Sequence, residues 1–129
     1  MKKILVVDDS SVQRKMIIQI IKSAGFSNPT LEAEDGVKAI EIIGNDFQDI
    51  GLVLCDWNMP NMTGIEVVGA LAKIPPLATL PVVMVTTEGT EAKISEAKRA
   101  NPNLAGYVTK PFTPDRLKET ISPILAKAN

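Results

Sequence analysis

Residues Lys3–Asp9 read KILVVDD, an apolar run that ends on two adjacent carboxylates. Short, continuous apolar runs of this kind are typical of buried parallel strands. Three more runs end in the same way: Leu52–Cys55 before Asp56, Val82–Val85 before Thr86, and Tyr107–Thr109 before Lys110. The carboxyl ends of parallel strands lie side by side, at the edge where open α/β sheets bind ligands. Three carboxylates, a hydroxyl and an ammonium are therefore predicted to share one crevice.

Segments with helical spacing separate these runs. The first is predicted to end at Gly25, to be capped by Ser10 or Ser11, and to have an apolar face of Val12, Met16, Ile17, Ile20, Ile21 and Ala24. A weaker strand, Thr30–Ala33, leads to a second helix, which we expect Gly44-Asn45 to stop; its apolar residues are Val37, Ile40 and Ile43.

Three further helices complete the pattern. They are predicted from the Thr63 cap to Pro75-Pro76, from Thr90 to Ala100, and from the Thr113 cap onward with Leu117, Ile121 and Leu125 inward. Strands and helices thus alternate five times. This alternation predicts an α/β fold in which helices cover both faces of a five-stranded parallel sheet.

Length and charge limit the possible functions. The chain has 129 residues, 14 basic and 15 acidic side chains, and a net charge of −1. This length suits one domain, residues 1–129. The balanced, scattered charge argues against nucleic-acid binding and favours protein partners. No apolar stretch approaches the roughly 20 residues that span a membrane, and the amino terminus lacks a signal peptide, so we expect a cytoplasmic monomer.

The acidic residues at the strand ends predict a metal site. Taken singly, each Asp is typical of a helix cap, and Lys110 of a solvated surface residue. Together, Asp8, Asp9 and Asp56 would repel one another unless a cation neutralises them. Oxygen ligands favour Mg²⁺, which would let one carboxylate attack a phosphoryl group. Lys110 and Thr86 would then contact the phosphoryl oxygens.

Five motifs carry a resemblance that spans the whole chain: Val6–Ser10, Glu34–Gly36, Asp56–Gly64, Val85-Thr86 and Lys110–Phe112. The chain resembles the receiver domain of two-component response regulators, in particular the single-domain regulators of chemotaxis. The resemblance implies a flavodoxin-like, doubly wound sheet with strand order 2-1-3-4-5. It also implies a phosphoacceptor signalling protein that catalyses its own phosphorylation and dephosphorylation, rather than an enzyme acting on a separate substrate.

The resemblance also assigns roles to residues. Asp56 matches the phosphoacceptor of a histidine kinase, and Asp9, Asp56 and the backbone carbonyl of Asn58 match the Mg²⁺ ligands. Asp8 matches a residue that contacts the ion largely through a metal-bound water molecule. Lys110 and Thr86 match the two phosphoryl contacts. Thr86 and Tyr107 match the switch pair, in which the aromatic ring moves inward on activation, and Lys110-Pro111 is a candidate cis peptide.

We expect the output to be contact with another protein, because the chain ends soon after its last predicted helix. The expected surface comprises the helix of residues 90–100, the last strand and the last helix, and includes Ile94 and Tyr107. The resemblance implies a chemotaxis-type histidine kinase as phosphodonor and the flagellar motor switch, or another protein, as target. A phosphatase is a further possible partner.

Other functions remain open at this level. A shuttle in a phosphorelay would use the same residues. An aspartate-nucleophile phosphatase is less favoured, because its first strand ends with Asp-x-Asp, whereas this one ends Asp8-Asp9-Ser10. A flavin or nucleotide carrier would require a phosphate loop rich in Ser, Thr or Gly after that strand, and two carboxylates there would repel the phosphate. The GxxxxGK[ST] loop is also absent.

Overall fold

The computed structural model describes residues 1–129 and contains a parallel five-stranded sheet in the order β2-β1-β3-β4-β5. The strands are β1 Lys3–Val7, β2 Thr30–Ala33, β3 Ile50–Cys55, β4 Val82–Thr86 and β5 Gly106–Thr109. Val7, the last residue of β1, pairs with Ala33 and Cys55, the last residues of β2 and β3. Strands β1, β2 and β3 therefore end level with one another, whereas β4 continues to Thr86, two residues beyond the partner of Cys55. The predicted fold class and strand order are confirmed.

Six helices connect and cover the strands: α1 Ser11–Ser23, α2 Gly36–Asp46, α3 Gly64–Ala72, α4 Pro75–Ala78, α5 Glu91–Ala100 and α6 Pro114–Ala128. A single 3₁₀ turn, Phe47–Asp49, follows α2. The five longer helices start with a side-chain cap, from Ser10, Asp35, Thr63, Thr90 and Thr113. Each cap accepts a backbone N–H that would otherwise lack a partner. None of the six helices combines the length and the apolar character required to cross a bilayer.

Two apolar cores hold the sheet from opposite sides. Alternation along β1 sends Leu5 and Val7 into the core under α2, α3 and α5, and Ile4 and Val6 into the core under α1 and α6. The helical residues that fill these cores include Ile43, Val68, Leu71 and Ala97 on the first side and Ile17, Ile21, Leu117, Ile121 and Leu125 on the second. Each large aliphatic side chain buried here contributes roughly 1.5–3 kcal/mol.

The predicted apolar faces of the first two helices were too wide. Val12 is 73% exposed, Met16 41% and Val37 53%. In α1 the fully inserted residues are Ile17 and Ile21, one turn apart, because the sheet covers only a narrow stripe of the helix. The predicted stop of α2 at Gly44-Asn45 was also wrong by one residue, since the helix continues to Asp46.

Proline has three different roles in the fold. Pro75 does not simply close the preceding helix, which ends at Ala72, but opens the short helix α4, where a first-turn proline needs no N–H. Pro123 lies inside α6, which nevertheless continues to Ala128. The Lys110-Pro111 peptide is cis, as the resemblance implied.

Candidate metal centre

Three carboxylates lie together at the carboxyl edge of the sheet. Asp8 and Asp9 follow β1, and Asp56 follows the neighbouring strand β3. One carboxylate oxygen from each residue lies within 4.8 Å of the others. Asp8 and Asp56 are 2% and 8% exposed, whereas Asp9 is exposed to solvent. The sheet thus brings together the three acidic residues that the sequence placed at strand ends.

Lys110 supplies the positive charge of this cluster. It follows β5, and its side chain reaches across the end of β4 to place Nζ 2.7 Å from Asp8 Oδ2 and 3.5 Å from Asp56 Oδ2. One ammonium nevertheless cannot balance three carboxylates. The excess negative charge and the oxygen-only donor set fit a hard divalent cation such as Mg²⁺.

Backbone N–H groups orient the two buried carboxylates. Ser10 N–H donates to Asp8 Oδ1 over 2.9 Å, and Trp57 N–H donates to Asp56 Oδ1 over 2.7 Å. In each case the second oxygen, Oδ2, is the one that faces Lys110. The Oδ2 atoms of Asp8 and Asp56 therefore both face the Lys110 ammonium, on the side of each carboxylate that no backbone N–H occupies.

The loop between β3 and α3 folds tightly around Asp56. Gly64 N–H donates to the Trp57 carbonyl over 2.9 Å, and a Cβ atom at position 64 would overlap the carbonyl oxygen of Asp56. Only glycine allows α3 to start this close to the strand. The Trp57 ring is 6% exposed and lies beneath Lys93 of α5, whose Nζ is 4.9 Å from the ring centroid. The indole is therefore well placed to report on changes at Asp56.

Both predicted switch residues contact the loop that leads from β4 to α5. Thr86 is fully buried, and its Oγ1 accepts the N–H of Glu88 over 3.3 Å. The half-buried Tyr107 donates its hydroxyl to the Glu88 carbonyl. Burial, reinforced by the charges of Glu88, Asp56 and Glu96, raises the pKa of Tyr107 to about 12. The phenol is thus a neutral donor at physiological pH.

Asn58 lies at the exposed mouth of the crevice. Its side-chain amide donates to the Glu88 carboxylate over 3.1 Å, which links the β3–α3 loop to the β4–α5 loop. The assignment of its backbone carbonyl as a metal ligand stays a prediction. The neighbouring Cys55 is fully buried, and burial together with the nearby Asp56 and Asp8 charges raises the pKa of its thiol. This cysteine is an unreactive core residue.

Sequence reasoning missed two residues that contact the cluster or its loops. Arg14 donates Nη1–H to the backbone carbonyl of Asp8 over 2.6 Å. Lys93 covers Trp57, the residue after Asp56. Neither could be distinguished in the sequence from the solvent-facing basic residues of its helix. The Arg14 contact depends on how α1 packs against the sheet, and the Lys93 contact on how α5 does.

Comparison with known proteins agrees with this geometry. The family description "Response regulator receiver domain" matches residues 4–122. The chain is 43% identical over 127 residues to the chemotaxis protein CheY of Pseudomonas aeruginosa, covering 98% of both chains. It is 40% identical to a CheY homolog of Campylobacter jejuni, covering 95% of this chain and 92% of the homolog. The structure of chemotaxis protein CheY4 of Vibrio cholerae superposes with a TM-score of 0.83 at 32% identity, covering 96% of this chain and 98% of CheY4.

A match over most of the chain, a relative at this level of identity and the same sheet order lead to one conclusion. The chain belongs to the receiver domain family of two-component response regulators, and it is a receiver domain of the CheY type.

Proposed function

We propose that Asp56 accepts a phosphoryl group from a histidine kinase in the presence of Mg²⁺, and that phosphorylation changes the affinity of a protein-binding surface. One observation carries this proposal: three carboxylate oxygens within 4.8 Å of one another share a crevice with an ammonium 3.5 Å from Asp56. A purely structural cluster would gain nothing from excess negative charge at a partly open site.

The orientation of Asp56 suits it to nucleophilic attack. Oδ1 is held by the Trp57 N–H, which leaves Oδ2 to form the new bond to phosphorus. As this bond forms, the bond from phosphorus to the donor's imidazole nitrogen breaks, and the electron pair returns to the imidazole. Bound Mg²⁺ supplies positive charge that screens the carboxylates from the incoming anion.

Lys110 would support both phosphoryl transfer and hydrolysis. The Lys110 ammonium, already 2.7 Å from Asp8, can turn to a phosphoryl oxygen without leaving the crevice. Hydrolysis is the attack of water on the same phosphorus, which breaks its bond to Asp56 and releases inorganic phosphate. Both reactions use the same residues, which supports self-catalysed phosphorylation and dephosphorylation.

The switch would run through the β4–α5 loop. When Thr86 turns its hydroxyl to the phosphoryl group, it gives up the hydrogen bond from Glu88 N–H. Tyr107 holds the carbonyl of the same Glu88, so movement of this loop releases the ring. The surface formed by α5, β5 and α6 then changes its shape and its affinity for a partner. The relatives named as chemotaxis proteins make the flagellar motor switch the first target to test.

The fluorescence of Trp57, the only tryptophan, tests the chemistry directly. Mg²⁺ and then acetyl phosphate are added to the wild-type protein, to Asp56→Asn, and to Asp49→Asn. Asp49 is an exposed carboxylate before β3, at the opposite edge of the sheet. We expect a response to Mg²⁺ followed by a response to the phosphodonor in the wild type and in Asp49→Asn. If Asp56→Asn retains the second response, Asp56 is not the acceptor.

Thr86→Ala tests the switch. A hydrogen bond to a charged group contributes about 1.5–3 kcal/mol, so its loss should weaken the phosphorylation-dependent gain in partner affinity by roughly tenfold or more. Thr87→Ala, a change at the exposed neighbouring hydroxyl, is the matched control. Binding to a motor-switch peptide is measured with and without phosphodonor. An undiminished gain in Thr86→Ala would exclude this route.

A further inference from the structure

Arg14 connects α1 to the ends of two strands. The residue is the fourth of α1, and its side chain runs back towards the helix start, as long helical side chains do. Nη1 donates to the Asp8 carbonyl over 2.6 Å, and Nε donates to Glu32 Oε1, on the edge strand β2, over 2.9 Å. Only 14% of the side chain is exposed. The guanidinium is therefore held in one orientation by two acceptors.

The first of these contacts acts on the peptide that joins two members of the acidic cluster. The carbonyl of Asp8 and the N–H of Asp9 belong to the same planar unit. Holding that carbonyl therefore sets the direction in which Asp9 leaves the strand. This restraint matters because Asp9 is the exposed member of the cluster, whereas Asp8 and Asp56 are each oriented by a backbone N–H.

The charge of Arg14 does not explain its place. A cation beside a metal site lowers the affinity for another cation. Here the paired Glu32 carboxylate, only 2.9 Å from Nε, compensates most of that charge. The position of Arg14 is explained instead by the geometry of its side chain. A planar guanidinium can donate to two fixed acceptors at once, through a fork of N–H groups that a lysine ammonium lacks.

We infer that Arg14 is a positioning residue of the metal centre: it holds the Asp8-Asp9 peptide so that Asp9 presents its carboxylate to the cation. Because this role rests on the proposed Mg²⁺-dependent function, its test must separate the failure of the role from the failure of that function. Residues that orient metal ligands typically contribute 10–100-fold to metal affinity. The lower end of that range applies here, because Arg14 acts through the backbone.

The test is Mg²⁺ titration followed by Trp57 fluorescence, with no phosphodonor present. Arg14→Lys keeps the charge and loses the fork, whereas Arg14→Met loses both. Lys15→Met is the matched control, since Lys15 is the next residue, pairs with the same Glu32 at 3.9 Å and is 73% exposed. We expect the Mg²⁺ dissociation constant to rise about tenfold in both Arg14 variants and to stay at the wild-type value in Lys15→Met.

A kinetic readout separates positioning from general loss of structure. With acetyl phosphate, both Arg14 variants should phosphorylate slowly at low Mg²⁺ and return to the wild-type rate when Mg²⁺ saturates the site. Circular dichroism establishes that the variants are folded. If Arg14→Met does not fold, Arg14→Lys decides the question, because it keeps the charge, weakens the bridge and should still raise the dissociation constant.

Three results would overturn the inference. Tighter Mg²⁺ binding in Arg14→Met with an unchanged Arg14→Lys would mean that Arg14 acts through its charge. Wild-type dissociation constants in both variants, with lowered stability, would mean that the bridge serves only the fold. A wild-type protein that does not respond to Mg²⁺ would refute the proposed metal-dependent function itself, and the inference with it.

Discussion

Asp9→Asn should make the metal-free protein more stable, although it removes a residue of the proposed site. The reason is the distribution of charge in the cluster. Lys110 forms its ion pairs with Asp8 and Asp56, so Asp9 adds repulsion without an ammonium of its own. Removing its charge relieves two repulsive interactions and breaks no ion pair.

The expected gain follows from the geometry. Two carboxylates at the 4.8 Å limit of the cluster repel by about 3.5 kcal/mol at an effective dielectric constant of about 20, and by about 0.9 kcal/mol at that of bulk water. Asp9 is exposed, so the lower value applies to its interactions with Asp8 and Asp56. After the longer-range attraction of Lys110 is subtracted, about 1 kcal/mol of stabilisation remains.

Urea unfolding in the presence of a chelator measures this gain, and the same experiment in Mg²⁺ should reverse the order. A ligand at 100 times its dissociation constant stabilises the folded state by about 2.7 kcal/mol. The wild type would receive this stabilisation, whereas Asp9→Asn would receive little of it. Raising the ionic strength from about 0.1 M to 1 M shortens the Debye length from roughly 10 Å to 3 Å, which should reduce the gain.

Asp49→Asn is the control for removing a carboxylate in general. It lies away from the cluster and should change the free energy of unfolding by no more than about 0.5 kcal/mol. If Asp9→Asn lowers the stability of the metal-free protein, or if Mg²⁺ stabilises it as much as the wild type, the electrostatic reasoning is wrong.

Two further predictions concern the switch and the loop around the phosphoacceptor. Tyr107, the only tyrosine, should ionise near pH 12 in the folded protein. Because the folded-state pKa of Tyr107 lies above the unfolded value of about 10, its contribution to stability is complete below pH 10 and is lost as the pH rises through 12. The ultraviolet absorbance of tyrosinate measures the ionisation of the phenol. Ionisation near pH 10 in the folded protein would contradict the prediction. Gly64→Ala should cost about 3 kcal/mol or more in urea unfolding, because its Cβ would overlap the Asp56 carbonyl. The control Gly44→Ala, in open space within α2, should instead stabilise by about 0.4–1 kcal/mol, and equal effects of the two changes would refute the steric argument.

The parallel sheet was predictable because its signals are local. Each central strand is a short apolar run that ends on a polar residue, and the caps Ser10, Thr63 and Thr113 mark where helices begin. The strand order came from the resemblance, since alternation alone does not say which strands are neighbours. The apolar faces were overestimated at Val12 and Met16, because the spacing of residues does not reveal how wide a stripe the sheet will cover.

The order of residues along the chain is enough to predict which side chains reach the carboxyl edge of the sheet, because the residue after each strand lies where that strand ends. How those side chains contact one another depends on the tertiary structure. Lys110 reaches across β4 to Asp8, which is 102 residues away in the sequence. Arg14 donates to the carbonyl of Asp8, which is 6 residues away. Such contacts depend on strand register, helix placement and rotamer. These are set by packing over the whole domain, and no short stretch of sequence encodes them.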